Sequence, residues 1–284
     1  MSKTLKHLSA AVAGTVATLV LTEPAVAAWD LNLREGVTSL SQEAYHLHMQ
    51  ILYWCCGIAV IVFGAMIYSL VKFRKSVHAR PDVNMTHSTT AEVVWTVIPI
   101  VILVVMAVPA ARALIKIEDT RNAELTIKVT GYQWKWEYDY QGENVKFFST
   151  LSRDSNAARQ LNSGIDPNSV PNYLLEVDNP LVVPEHTKVR ILLTAADVIH
   201  AWWVPSFGIK KDAVPGFINE LWFNAEKSGI YRGQCAELCG RDHGFMPIVV
   251  AVKSKADYQA WLKAQQPAIA TAADAAPASQ PVSP

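Results

Sequence analysis

Residues 49–71 read MQILYWCCGIAVIVFGAMIYSLV, and residues 93–111 read VVWTVIPIVILVVMAVPAA. Neither stretch carries a charge, and they run for 23 and 19 residues. A helix rises about 1.5 Å per residue, so about 20 apolar residues cross a hydrocarbon layer. Both stretches are expected to span a membrane, the second continuing to about residue 115. Pro99 and Pro109 predict kinks rather than a break, because neighbouring groups in a membrane can re-satisfy the freed carbonyls. Cys55 and Cys56 fall within the first span and read as packing residues, since a free cysteine behaves as a small apolar group.

Working outward, the link between the spans holds Lys72, Arg74, Lys75 and Arg80 against one acid, Asp82. Basic loops stay on the cytoplasmic side, so everything after the second span is expected outside. Residues 1–28 begin with Lys3, Lys6 and His7, continue with the uncharged stretch 8–21, and end near Ala25-Val26-Ala27. That is the pattern of a cleaved secretory signal, with a retained N-terminal anchor as the alternative. The expected organisation is a signal peptide over 1–28, a hairpin over 29–118, an external domain over 119–264 and a disordered tail over 265–284. The whole chain has 284 residues, 51% of them hydrophobic and 18% charged, with 25 basic side chains balancing 25 acidic ones. Such balance argues against a nucleic-acid binder, and four cysteines are too few for a disulfide scaffold.

In the external domain, short apolar runs at 124–130, 133–140, 173–177, 188–194, 220–224 and 248–253 alternate with Pro, Gly and Asn. Many short strands between turn signals predict a β-sandwich or small barrel. By period-two alternation, Tyr132, Trp134, Trp136, Tyr138 and Tyr140 would share one face of a strand. The stretch 149–172, rich in Ser, Asn and Pro, reads as an inserted surface loop with no assignable role.

The chemistry concentrates in residues 233–247, GQCAELCGRDHGFMP, where Cys235 and Cys239 are followed by His243 and Met246. His200 lies upstream in the run 197–203, DVIHAWW. Thiolate, imidazole and thioether suit a soft, redox-active metal such as copper, whereas magnesium or calcium would ask for oxygen. Four readings fit these residues. A disulfide would leave both histidines and the methionine without a role. Structural zinc on two cysteines and two histidines would leave Met246 over. A single blue-copper ion would leave one thiolate over. Two copper ions bridged by both thiolates, each with one histidine, would use every group.

From about residue 43 to residue 262 the chain resembles subunit II of the haem–copper cytochrome c oxidases. The resemblance is carried by the two-span hairpin, the segment 131–138 (GYQWKWEY), 176–179 (EVDN), 210–216 (KKDAVPG) and the cysteine loop with its upstream histidine, all in the family's order. It implies a cupredoxin-like Greek-key sandwich on a two-helix transmembrane hairpin, in a bacterial inner membrane with the large C-terminal domain in the periplasm. It also implies a dinuclear copper centre (CuA) bridged by Cys235 and Cys239. His200 and His243 would each bind one ion, Met246 would be a weak ligand to one, and the carbonyl of Glu237 a ligand to the other. The side chain of Glu237 would reach a Mg²⁺ or Mn²⁺ shared with subunit I.

The resemblance further implies a role for residues outside that loop. Trp134 would receive electrons from cytochrome c, Asp139, Asp178 and Asp197 would attract its lysines, and Glu92 would stand at the mouth of a proton channel. Trp202, Trp203 and Phe245 are candidates for a dry wall around the metals. The partners would be subunits I and III and cytochrome c, with haem confined to subunit I. The chain would then be an electron-transfer subunit of an oxidoreductase, without an oxygen-reducing site of its own. Two rivals are a membrane-tethered copper carrier and a quinol oxidase subunit, the latter lacking the copper ligands in the family.

Overall fold

The computed structural model describes residues 32–76 and 86–274. The expected signal segment, Arg80 and Asp82 of the basic link, and residues 275–284 lie outside the described residues. Helix α1 covers Ser39–Lys72 and helix α2 covers Thr89–Ile117. At 34 and 29 residues each contains one of the expected spans and is long and apolar enough to cross a membrane. Their large apolar side chains, Val60, Ile61, Leu103 and Val104 among them, are exposed. A surface of that kind suits lipid and is unfavourable in water. Pro99 and Pro109 sit inside α2 without ending it.

Helix α1 begins ten residues before the expected span because Thr38 caps it. The Thr38 hydroxyl accepts from the Ser41 N–H at 3.0 Å, and the Ser41 hydroxyl accepts from the Thr38 N–H at 3.0 Å. This reciprocal pair satisfies two of the amides that a helix start leaves unpaired. The Thr38 hydroxyl also donates to the Phe207 carbonyl at 2.7 Å, which ties the helix start to the β domain. At the end of α2, Lys116 donates to Glu43 at 2.5 Å, and the Trp222 indole donates to the Lys116 carbonyl at 3.1 Å. The hairpin is therefore anchored to the domain at both ends that meet it.

The β domain contains ten strands: β1 Leu125–Tyr132, β2 Lys135–Tyr140, β3 Val145–Ser149, β4 Leu181–Pro184, β5 Lys188–Ala195, β6 His200–Val204, β7 Ile209–Ala213, β8 Asn219–Asn224, β9 Gly229–Cys235 and β10 Pro247–Lys253. They form two five-stranded sheets, β3-β2-β1-β5-β8 and β4-β10-β9-β6-β7. The β1–β5 and β4–β10 pairs are parallel and the other pairs antiparallel. This is the cupredoxin-like sandwich that the resemblance implied. Alternation along β5 sends Val189, Ile191, Leu193 and Ala195 inward, where they meet Ile127 and Val129 of β1 and Val250 of β10 in one core. On β4 and β10 nearly every side chain is buried. Helix α4 (Lys255–Asp274) packs against β3, β4 and β10 there, burying Tyr258 and Leu262 and setting Trp261 against Tyr140 at 5.4 Å. It covers β3 and β4, which are edge strands of the two sheets and would otherwise offer unpaired backbone.

Three expectations need correction. Residues 173–177 form no strand, only an isolated bridge between Val177 and Leu151. Asn172 and Leu174 have φ of 50° and 62°, a left-handed backbone that cannot extend. The aromatic series also does not share one strand face, because Tyr132 ends β1 and Trp134 lies in the two-residue turn before β2. Only Trp136, Tyr138 and Tyr140 are core. The segment expected to be a tail from 265 begins as helix, α4 continuing across Pro267 to Asp274. Within 149–172, a short helix α3 (Arg153–Ala158) buries Ser155 and Ala158.

Tyr140 joins the two sheets, its hydroxyl donating to the Val182 carbonyl at 2.7 Å and accepting from the Val182 N–H at 2.9 Å. Tyr140→Phe leaves both buried backbone groups of Val182 without this partner and is expected to cost about 1–3 kcal/mol. Thermal unfolding followed by circular dichroism measures it, and a midpoint equal to the parent's would sink the account.

Candidate metal centre

Antiparallel pairing of β6 with β9 sets Trp202 opposite Cys235, so the first residue of one strand, His200, and the last of the other, Cys235, share the same end of the sheet. Backbone bonds from Ala236 to Ala201 at 3.1 Å and from Cys235 to Met246 at 3.3 Å close the base of the loop that returns to β10. The strands thus fix His200 and Cys235, and the loop delivers Cys239, His243 and Met246. The two sulfurs lie 3.8 Å apart. Cys235 Sγ is 3.9 Å from His200 Nδ1 and 3.3 Å from the Glu237 carbonyl. Cys239 Sγ is 3.5 Å from His243 Nδ1 and 3.6 Å from Met246 Sδ. His200, Cys235, Cys239 and Met246 are buried, with His243 half-buried.

A disulfide needs its sulfurs at about 2.05 Å, and both cysteines are free. The ligand atoms of His200, Cys235 and Cys239 all lie within 4.8 Å of one another, and His243 approaches from the Cys239 side. Each thiol therefore has a histidine of its own. Sulfur and imidazole donors converging in a buried pocket fit a soft metal.

The electrostatics lead the same way. Burial disfavours ionising Cys235, but hydrogen bonding to His200, joined by the Glu237 and Ala201 backbone and by His243, outweighs it and brings the thiol down to about 7. At Cys239, burial and then the neighbouring Cys235 thiolate push the thiol up to about 12. One thiolate forms readily, and the second is opposed until positive charge arrives between them. Burial works against a charged His200, while Cys235 and Asp197 favour it enough to raise its pKa.

His200 is oriented from behind. Its Nε2 lies 2.9 Å from Asp197 Oδ1, and a carboxylate only accepts, so Nε2 carries the proton and Nδ1 is left facing the sulfurs. Asp197 also accepts from the Gln133 N–H and the Val198 N–H, each at 2.7 Å. Expected as a docking acid, it is also engaged with His200 and the hairpin tip. Gln133 and Trp134, at the tip of the β1–β2 hairpin, reach the loop itself: Gln133 Nε2 and Trp134 Nε1 donate to the Cys239 carbonyl at 2.8 and 3.2 Å. Two glycines permit this closeness. A Cβ on Gly131 would lie 2.8 Å from the His200 ring, and one on Gly240, at φ +117°, would lie 3.0 Å from the Gln133 amide.

The remaining candidates are spread out. Glu237 turns its carbonyl towards Cys235 and is itself exposed. Trp202 is fully buried and stacked on Phe223, whereas Trp203 and Phe245 are half-buried. Trp136, 5.9 Å from the His200 ring, is a wall residue that sequence reading assigned only to the strand core. Asp178 accepts from the Thr150 N–H and hydroxyl at 2.7 and 2.9 Å, tying the start of the 149–172 segment to the chain beyond its end. Asp139 stands between Lys128 and Lys146 near the far end of β2 from Trp134. Glu92 is exposed in the first turn of α2, roughly 37 Å along that helix from the β domain.

Comparison with known proteins identifies what the chain is similar to. The family described as cytochrome c oxidase subunit II, periplasmic domain, matches residues 125–253, and the corresponding transmembrane domain matches residues 26–112. A probable cytochrome c oxidase subunit 2 of Rickettsia prowazekii is 44% identical over 83% of this chain and 72% of its own length. Its counterpart in Rickettsia bellii is 42% identical over 82% and 83%. Among solved structures, the periplasmic domain of subunit II of cytochrome oxidase of Bradyrhizobium japonicum is 41% identical over 52% of this chain and 98% of that one, with a TM-score of 0.45.

Asp197→Ala frees the His200 ring to turn and is expected to weaken metal retention by about 10- to 100-fold. Competition with a soluble chelator reads this directly, and retention equal to the parent's would show that His200 needs no such partner.

Proposed function

The chain belongs to the cytochrome c oxidase subunit II family, and on that footing we propose that its buried thiol pocket is the CuA centre through which the oxidase takes electrons from cytochrome c and passes them to haem in subunit I. The observation that carries the reading is the pair of facing thiols, each with its own histidine, in one pocket. Cys235 and Cys239 would bridge two copper ions, with His200 Nδ1 on one and His243 Nδ1 on the other. The Met246 thioether and the Glu237 carbonyl would complete the set. When bound, such a bridged pair supplies a one-electron couple whose charge is shared over both metals. The protein holds the donors still and keeps water out, so little has to move as charge changes.

Trp134 would receive the electron. Its indole is half-buried at the hairpin tip and donates to the carbonyl of a bridging cysteine, so a path from the surface to the metal loop needs only that hydrogen bond. Asp139, Asp178 and Asp197 would attract lysines on cytochrome c, Asp197 while also orienting His200. The exposed Glu237 carboxylate offers hard oxygen for a Mg²⁺ or Mn²⁺ shared with subunit I. Leu238 in the loop and Ile199 beside His200 are exposed and apolar, a surface suited to burial against subunit I. Subunit III would complete the complex. The β domain would face the periplasm of a bacterial inner membrane, and Glu92, at the opposite end of α2, would take up protons from the cytoplasmic side. A copper carrier is disfavoured because exchange needs open coordination and these donors are buried. A quinol oxidase subunit is disfavoured because every copper-ligand position is filled.

The purified complex is expected to show a near-infrared copper band and a hyperfine pattern split equally by two copper nuclei; a single-copper spectrum, or zinc in the pocket, would overturn the reading. Trp134→Phe is expected to keep that spectrum and to slow reduction by cytochrome c by about tenfold or more, and an unchanged stopped-flow rate would refute its role. Glu92→Gln is expected to lower steady-state turnover by about tenfold with copper reduction untouched, and full turnover in the variant would remove Glu92 from the proton path.

A further inference from the structure

The inserted segment 149–172 reaches the metal loop through Arg159, just after α3. Its Nε donates to Asn156 Oδ1 at 2.8 Å, which sets the guanidinium before it meets the loop. One terminal nitrogen lies 3.4 Å from Asp242 Oδ1, and the guanidinium carbon stands 4.3 Å from the centre of the Phe245 ring. Asp242 directly precedes the ligand His243, and Phe245 directly precedes the ligand Met246. The same cation therefore grips both shoulders of the turn that carries two of the donors.

Besides the Cys235–Met246 backbone bond at its end, that turn is held by local bonds. The 3₁₀ turn His243–Phe245 has no side-chain cap, and its local backbone bonds run from His243 to Gly240 at 3.2 Å and from Phe245 to Asp242 at 2.9 Å. Arg241 also approaches Asp242 at 3.4 Å, but its side chain is 82% exposed against 23% for Arg159. The more buried of the two cations is the one preset by Asn156 and stacked on the ring. A planar guanidinium offers a flat face to a ring and a fixed fork of N–H donors to a carboxylate at once, a geometry that a lysine ammonium only partly reproduces. The far side is fixed as well: α3 buries Ser155, whose hydroxyl accepts from the Leu174 N–H at 3.2 Å, and the Ser152 N–H donates to the Glu176 carbonyl at 2.9 Å. A small cavity of about 170 Å³ between insertion and loop is bordered by Arg159, Asp242, Phe245 and Trp134.

We infer that Arg159 is a positioning residue for the copper centre, and that the insertion exists to brace the His243–Met246 turn in ligating geometry. This rests on the copper reading above, so the test begins with the parent complex: absence of a dinuclear copper spectrum there would defeat that reading, and the brace with it. Given that spectrum, the full-length chain in the purified complex is compared as parent, Arg159→Ala, Arg159→Lys and, as a control on the same helix, the exposed Arg153→Ala. Arg159→Ala is expected to lose copper to a chelator about tenfold faster or more and to alter the hyperfine splitting and near-infrared band. Arg159→Lys should restore these only in part, and Arg153→Ala should match the parent. Thermal unfolding of the metal-free chain should stay within the parent's error for all of them. A parental spectrum and copper loss in Arg159→Ala would overturn the inference, as would full rescue by lysine. A fall in metal-free stability that accounts for the copper loss, or failure of Arg159→Ala to fold with Arg159→Lys parental, would also overturn it by making the role purely structural.

Discussion

Two buried sulfurs held 3.8 Å apart are the constraint around which the rest of this chain is arranged. Ionising one is helped by His200; ionising the second is opposed by burial and by the first. Left alone, such a pair would rest half protonated or oxidise to a disulfide. It becomes a stable dithiolate only when cations supply the missing charge, and the neighbouring imidazoles and thioether determine which cations suit. The pocket is costly to fold around ionised sulfur and favourable to fold around metal, so binding and local order are linked.

The scaffold answers the need for rigidity in two ways. The base of the pocket is sheet, with His200 and Cys235 at matching ends of adjacent strands and closed by backbone bonds. The lid is an irregular loop, and it is tethered from outside, by the β1–β2 hairpin tip on the Cys239 carbonyl and by Arg159 on the His243 turn. The helical hairpin adds orientation. Because the Thr38 cap, Lys116 and Trp222 tie both helices to the sandwich, fixing the helices in a membrane also fixes which part of the β domain can meet a partner.

Much of this was legible beforehand, and the reasons differ by element. The spans were readable because lipid demands a composition, not a pattern. The donors were readable because four soft ligands in one loop leave few chemistries open. The β1–β2 turn was not: Gln133-Trp134 joins the strands without Gly, Asn or Pro, and the alternation of aromatics runs on through the turn as if unbroken. Residues 173–177 misled in the opposite sense, since β-prone composition says nothing of the left-handed backbone at Leu174. Arg159 was beyond reach, because its partner is 83 residues away and a lone arginine in a polar loop carries no signal.

Asp197 illustrates why a residue's type is a weaker guide than its place. Read along the chain it is an acid near a surface turn, a natural candidate to attract a basic protein. In the fold its carboxylate holds the Nε2 proton of His200 with one oxygen and the Gln133 amide with the other. Gln133 in turn reaches the Cys239 carbonyl. A chain of hydrogen bonds therefore runs from the histidine on one thiol, through the hairpin tip that bears Trp134, to the backbone of the other thiol. Any displacement of that tip by a docking partner would be felt at both sulfurs. Trp134 and the residues that set the geometry around the sulfurs belong to one mechanical unit.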